Sequence, residues 1–274
     1  MSPDAQIRPA EHRDVQNIAR LVRSSFPQHL QPYMIQAQHG IDRYLGIVLT
    51  HPTLEAARLL YVAHSLGDNE LDGYADFSLT AGNSAFLSYV CVAPKAQGQG
   101  LAKRMILHFL KNNPTIETLA LDVFINNNPA LHVYNALGFM EEHRSKWLTA
   151  PTGKQDNCSP TQLNLSISNF PAAHIAHHEF GFSDMSGKWK GRDIRIGRLG
   201  DKKIRFFQVD NLFDQGLLQQ LSRLFPSVDE VFCIAPENSD PGQRLGAPGS
   251  YSTVATAQRM TLHRPARVVG NKTR

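Results

Sequence analysis

The chemistry in this chain concentrates in Ala93-Pro94-Lys95-Ala96-Gln97-Gly98-Gln99-Gly100-Leu101-Ala102-Lys103. Phe86-Leu87-Ser88-Tyr89-Val90-Cys91-Val92 precedes it, β-branched and aromatic enough to be a strand. Leu101, Met105, Ile106 and Phe109 follow on one helical face. The pattern is strand, glycine loop, helix. Two glycines let the backbone turn without Cβ clashes. A helix opened by such a loop offers unpaired N–H groups at the positive end of its dipole. That suits a diphosphate.

Two common diphosphate loops fail here. A P-loop needs Gly-x-x-x-x-Gly-Lys-Ser/Thr, and Leu101 follows Gly100. A dinucleotide fingerprint needs glycine at position 103, which is Lys103. Gln/Arg-x-x-Gly-x-Gly/Ala does fit, as Gln97, Gly100 and Ala102. This resembles motif A of the GCN5-related N-acetyltransferase (GNAT) superfamily. The loop alone is equally an ordinary strand-to-helix turn. A second stretch, Asn127-Asn128-Pro129-Ala130-Leu131-His132-Val133-Tyr134-Asn135-Ala136-Leu137-Gly138-Phe139, resembles that family's motif B, Asn-x-x-Ala-x-x-x-Tyr-x-x-x-Gly-Phe. Read physically, Asn128 is suited to cap a helix with Pro129 at its first position, and Gly138 to end it with Phe139 packing back. Two motifs in family order are more specific than either alone. The resemblance spans roughly residues 6–147.

The resemblance implies acetyl-CoA as co-substrate, no metal, and direct attack by a primary amine of a small molecule or peptide. In the family, the strand before the loop splays from the next strand. Its backbone, here Val90, Cys91 and Val92, then binds the pantetheine and polarises the thioester. Loop amides take the pyrophosphate: here Gln97, Gly98, Gln99, Gly100, Leu101, Ala102 and Lys103. Gln97 stands where Arg is more usual, which removes one ionic contact. Asn127 matches a cofactor contact, and Tyr134 matches the general acid. A phenol near pKa 10 is matched to a leaving thiolate; its other reading is simple helix packing. No carboxylate lies in residues 84–93, so no base is assigned; Asp76, His64 and a water chain near Ser88 are the alternatives. Homodimers are common in the family. Two other functions fit the same residues: a transferase of another acyl-CoA, and a non-catalytic CoA-binding or scaffold protein.

These residues need elements to hold them. The expected order for the first half is β-α-α-β-β-β-α-β-α-β, a mixed α/β fold. It begins with a strand at Gln6–Ala10, a helix at Asp14–Phe26 and a second helix after Gly40. Next comes a hairpin, Leu59–His64 with Gly73–Leu79, around Gly67-Asp68-Asn69. The polar run His29, Gln31, Tyr33, Gln36, Gln38 and His39 either borders the acceptor or is a solvated connection. We expect a GNAT-like domain at 1–150, a turn-rich linker at 151–162 and a smaller α/β lobe at 163–274. In the lobe we expect a helix at Pro171–Phe180, a hairpin around Gly200-Asp201, a helical face from Leu217 to Phe225 and strands at Glu230–Ala235 and Thr256–His263. The loop from 239 to 250 and the basic tail from Arg264 complete it. Ala173-x-x-x-His177-x-x-x-Gly181-Phe182 echoes motif B, either as any glycine-ended helix or as a degenerate second GNAT-like lobe. His174 and His178 have zinc-ligand spacing but no third ligand in sequence, which favours helix-end histidines. The run Lys188, Lys190, Arg192, Arg195, Arg198, Lys202, Lys203 and Arg205 favours a solvated hairpin face over a nucleic-acid surface.

Composition sets the outer bounds. The chain has 274 residues, 42% of them hydrophobic, enough for one large or two modest cores. It shows neither a long uncharged apolar stretch nor a signal-peptide pattern, so a cytoplasmic protein without a membrane partner is expected. Formal charge is +4, with 12 basic and 13 acidic residues in 1–150 and 16 and 11 in 151–274. That excess is too small to argue for nucleic acid. Cys91, Cys158 and Cys233 form no metal spacing. Cys91 and Cys233 sit in apolar strands and read as buried thiols.

Overall fold

A computed structural model describes residues 5–65, 70–152, 164–239 and 251–264. The chain divides into two compact units. Unit 1 holds 1–25, 45–143 and 258–274; unit 2 holds 26–44 and 144–257. The ranges 1–150 and 163–274 thus hold most of units 1 and 2, with 26–44 and 144–150 counted in unit 2 and 258–274 in unit 1. All but two residues of the expected linker, the expected turn at Gly67-Asp68-Asn69, the loop beyond Ser239 up to 250 and the tail beyond Arg264 lie outside the described residues.

Unit 1 begins with β1 (Gln6–Pro9), a 3-10 turn at His12–Asp14 and α1 (Val15–Ser25). Asp14 holds that corner: its carboxylate accepts from Arg8 at 2.7 and 2.9 Å and from the Glu11 amide at 2.8 Å. Next come α2 (Ile41–Thr50), α3 (Pro52–Ala57), β2 (Arg58–His64), β3 (Gly73–Thr80) and β4 (Ser84–Val92). After them lie α4 (Leu101–Asn112), β5 (Thr118–Phe124), α5 (Asn128–Ala136) and β6 (Met140–Pro151). β1-β2-β3-β4 pair antiparallel in that order, and β4 pairs parallel with β5. The far side of β5 adjoins β12 (Ser252–His263). Arg259 of β12 forks onto both oxygens of Asp122 on β5. The core lies under α4, whose Leu101, Met105, Ile106 and Phe109 pack on Ala75, Phe77, Leu119 and Leu121. Phe77 and Phe109 stack at 3.8 Å.

Unit 2 repeats this plan. β7 (Leu165–Ile167), α6 (Phe170–Phe180), β8 (Phe182–Trp189), β9 (Arg192–Leu199) and β10 (Lys203–Phe206) come first. α7 (Gln215–Leu224) and β11 (Glu230–Pro236) follow. β7-β8-β9-β10 pair antiparallel in order, and β10 pairs parallel with β11. β11 then pairs antiparallel with Ser145–Pro151 of β6. α6 takes the place of α1, between first and second strands, and α7 that of α4. The echo of motif B is therefore a likeness of helix ends: α6 stands where α1 does, not where α5 does. Gly181 closes it by giving its amide to His177 O.

The sequence reading did not resolve α3, β7 and β8. β8 puts the polar Ser183 on its buried face and Gly187 near its end, which hides its alternation.

Candidate active site

Unit 1 opens a wedge beside the glycine loop. β4 and β5 are in register from Ser84↔Thr118 to Leu87↔Leu121. β4 runs on to Val92 and β5 to Phe124, yet no further β4–β5 pair forms among the described residues. The cause lies on the other edge of β4. There Asp76 pairs with Tyr89 and Phe77 with Leu87, so Ser88 is a β-bulge. A bulge bends its strand and sharpens its twist. This one falls where the parallel pairing stops. Val90, Cys91 and Val92 keep their β3 partners Ala75, Tyr74 and Gly73, but have no strand neighbour on the β5 side.

The loop continues from that open edge. A 3-10 turn at Pro94–Ala96 leads to Gly98 and Gly100, with φ of +74° and +72°. A Cβ added at either glycine would meet nothing within 4 Å. Conformation demands glycine here, and the backbone faces open space. Gly100 caps α4, leaving the amides of Leu101, Ala102 and Lys103 without intrahelical acceptors. Two side chains brace the loop from within: Gln97 donates to Val92 O at 3.1 Å and Gln99 to Lys95 O at 3.0 Å. Lys103 is exposed at the helix start.

Sequence reasoning passed over Asp72. It lies 23 residues before Lys95, outside any motif, so no local signal marks it. Its buried carboxylate accepts from Ser65 Oγ at 2.7 Å and faces Lys95 Nζ at 3.3 Å. Its carbonyl accepts from the Ala93 amide at 2.8 Å.

Asn127 rather than Asn128 caps α5, accepting from the Ala130 amide at 3.2 Å, and Pro129 is the second helical residue. A non-helical backbone is required at a cap, and Asn127 has it, with ψ of 68°. Its side-chain oxygen is thereby engaged, which leaves its amide nitrogen for a ligand. At the other end, Gly138 donates to Asn135 O and Phe139 to Tyr134 O, a Schellman closure. The Phe139 ring lies 5.7 Å from that of Tyr134. Tyr134 is 5% exposed, and burial first, then the Cys91 nearby, pushes its pKa well up. Burial also pushes the Cys91 thiol up to about 12, against a bond from Ser25 that lowers it.

The alternatives for a base resolve unevenly. Asp76 is fully buried and accepts from Arg58 at 2.9 and 2.5 Å and from the Tyr74 hydroxyl at 3.2 Å, which commits it to an ion pair. Ser88 shares a 3.2 Å contact with Ser78. His64 ends β2, opposite Gln6.

In unit 2 several residues of the polar run are engaged within the protein: Tyr33 donates to Glu230 at 2.6 Å, Gln38 to Met34 O at 2.9 Å and Gln31 to Phe26 O at 3.0 Å. His39 meets His178 O at 3.4 Å, and His177 meets Gly200 O at 2.8 Å. Among the described residues no group of His, Cys, Asp and Glu could hold a metal. The basic run is largely ion-paired: Lys188 with Asp193, Lys190 with Asp214, Arg195 with Asp184, Lys202 with Asp229, and Lys203 with Glu230. No helix among the described residues is long and apolar enough to cross a membrane.

Residues 16–139 match the family model described as Acetyltransferase (GNAT) family. No curated protein matches the chain. A tandem GNAT protein from the clavulanic acid biosynthesis pathway, solved without AcCoA, is 11% identical, with a TM-score of 0.66 over 96% of this chain and 99% of that one. A GCN5-related N-acetyltransferase from Sphaerobacter thermophilus is 14% identical, with a TM-score of 0.58 over 97% and 98%. At such identities the likeness concerns the fold. It extends through both units and supports unit 2 as a second GNAT-like lobe.

Proposed function

Since residues 16–139 form a domain of the acetyltransferase (GNAT) family, we propose that unit 1 binds acetyl-CoA and passes its acetyl group to a primary amine of a small molecule or peptide. One observation carries this: the β4–β5 pairing ends beside a loop whose two glycines leave open space where a Cβ would stand, at a helix start whose first amides have no side-chain cap. Each part has a task. The amides of Gly98 to Lys103 would hold the diphosphate, and the exposed Lys103 ammonium adds charge that Gln97 does not supply. Gln97 acts as a brace, because its amide is spent on Val92 O. The freed edge of Val90 to Val92 would align pantetheine and set a thioester at attack distance. Burial disfavours the Tyr134 phenolate, so Oη holds its proton at neutral pH; it is a weaker acid than a free phenol, and would give that proton only to a thiolate forming directly beside it. With Asp76 committed to Arg58, His64 or a water at Ser88 and Ser78 would take the amine proton.

Calorimetry with CoA, followed by free-thiol release from acetyl-CoA with a panel of amines, tests this. We expect one CoA bound per chain and amine-dependent thiol. Binding without turnover would mean a CoA-binding scaffold instead. Faster turnover with a longer acyl-CoA would reassign the donor. Absence of binding by folded protein would end the proposal.

A further inference from the structure

We propose that Asp72 is a positioning residue for the diphosphate loop, fixing its shape before any ligand arrives; this rests on the acyl-CoA function proposed above. The loop leaves β4 at Ala93 and turns through Pro94–Ala96. Asp72, at the entrance to β3, grips both points. Its carbonyl takes the Ala93 amide, and its buried carboxylate faces Lys95 Nζ. Ser65 Oγ fixes the second oxygen of that carboxylate, and Glu70 approaches Lys95 at 4.0 Å from outside. Lys95 in turn offers its carbonyl to Gln99, between the two glycines. A chain of contacts therefore runs from Asp72 through Lys95 to Gln99.

Its use follows from the loop's composition. No side chain or backbone lies within 4 Å of where a Cβ on Gly98 or Gly100 would stand, and glycine carries the largest conformational entropy of any residue. A free glycine loop would have to be ordered by its ligand, at the expense of affinity. The tie through Lys95 orders it beforehand. It also neutralises Lys95, so this lysine serves the loop's shape rather than the phosphates.

The test compares CoA with S-acetylpantetheine, which keeps the thioester arm but has no diphosphate. In Asp72→Asn we expect the Kd for CoA to rise about tenfold, the scale of one lost charge-assisted contact, while the Kd for S-acetylpantetheine, followed by NMR titration, stays within twofold. Lys95→Met breaks the same tie from its exposed end and should give the same split even if Asp72→Asn folds poorly. Lys95→Arg should restore CoA affinity. Equal losses for both ligands, or no loss for CoA, would overturn the positioning role while leaving the acyl-CoA function standing. Wild-type protein that binds no CoA would overturn both.

Discussion

The strand-loop-helix of β4, β5 and α4 and that of β10, β11 and α7 hold the same place in their units, yet only one is open. β4 has nine residues and its parallel pairing stops after Leu87. β10 has four, and all of them pair with β11, from Lys203↔Glu230 to Phe206↔Cys233. Past their last pair β4 and β5 both run on unpaired and leave a wedge; β10 stops at its last pair, and β11 continues to Pro236 paired with β6. The helix starts differ as sharply. Gly100 opens α4 with bare amides. A 3-10 turn at Val209–Phe213 leads into α7, and the Asp214 carboxylate caps it, taking the Leu217 amide at 3.0 Å. The same carboxylate accepts from the Trp189 indole at 2.7 Å and Lys190 at 3.3 Å. Burial pushes Asp214 upward in pKa, but those three donors outweigh it and hold the group below the usual carboxylate range. An anion already occupies the helix end where a phosphate would go. On the proposed function, one fold serves a binding task in one copy and a structural one in the other. The difference lies in strand length, a bulge and one carboxylate.

The largest effect should fall on the open copy. Tyr134→Phe should lower kcat by about a hundredfold or more, the range for a lost general acid, with CoA affinity nearly unchanged. Steady-state rates with an acceptor from the amine panel, beside calorimetry, check this; an unchanged kcat would make Tyr134 a packing residue. Next, Gly100→Val should raise the Kd for CoA about a hundredfold, because a β-branched residue resists φ of +72° and displaces amides that each contribute on the order of 1.5–3 kcal/mol to a charged ligand. Smaller is the mirror experiment in the closed copy. Asp214→Ala should cost about 1 kcal/mol of folding stability through the lost cap, measured by urea denaturation, and should leave stoichiometry at one CoA per chain. A second equivalent of CoA in that variant would show that the two copies differ by this carboxylate alone.

A further effect concerns pH. Burial raises Cys91 from 9.0 to about 12 and Cys233 to about 11. Above about pH 9 the unfolded chain releases these protons while the folded one keeps them, so the native state binds more protons and stability falls as pH rises. The urea midpoint should drop between pH 8.5 and 10.5, and Cys91→Ala should flatten the drop.

Much of the open copy was legible in sequence because its chemistry is local. Gly98 and Gly100, the face from Leu101 to Phe109, and the Tyr134–Gly138–Phe139 helix end all announce themselves within a dozen residues. The cap of α5 was misplaced by one because Asn127 and Asn128 are both good caps, and only backbone dihedrals choose between them. The wedge came only through family resemblance. A register break at Ser88 depends on pairing partners in β3 and β5, which composition does not encode. The closed copy was harder still. Its β8 is interrupted by polar residues and glycine, and its likeness to unit 1 lies in strand order rather than in motifs. The motif B echo therefore pointed to a second lobe through the wrong helix.

The distribution of unit 1 along the chain has a consequence for its synthesis. Met260 lies in the same core as Phe77 and Phe109, and Arg259 clasps Asp122. A nascent chain that has just cleared the ribosome with its glycine loop and Tyr134 still lacks these partners, and must wait for more than a hundred further residues to be translated. Contacts of that sequence separation are slow to form, so the enzyme-like half should mature late, after the half that precedes its last strand has been made.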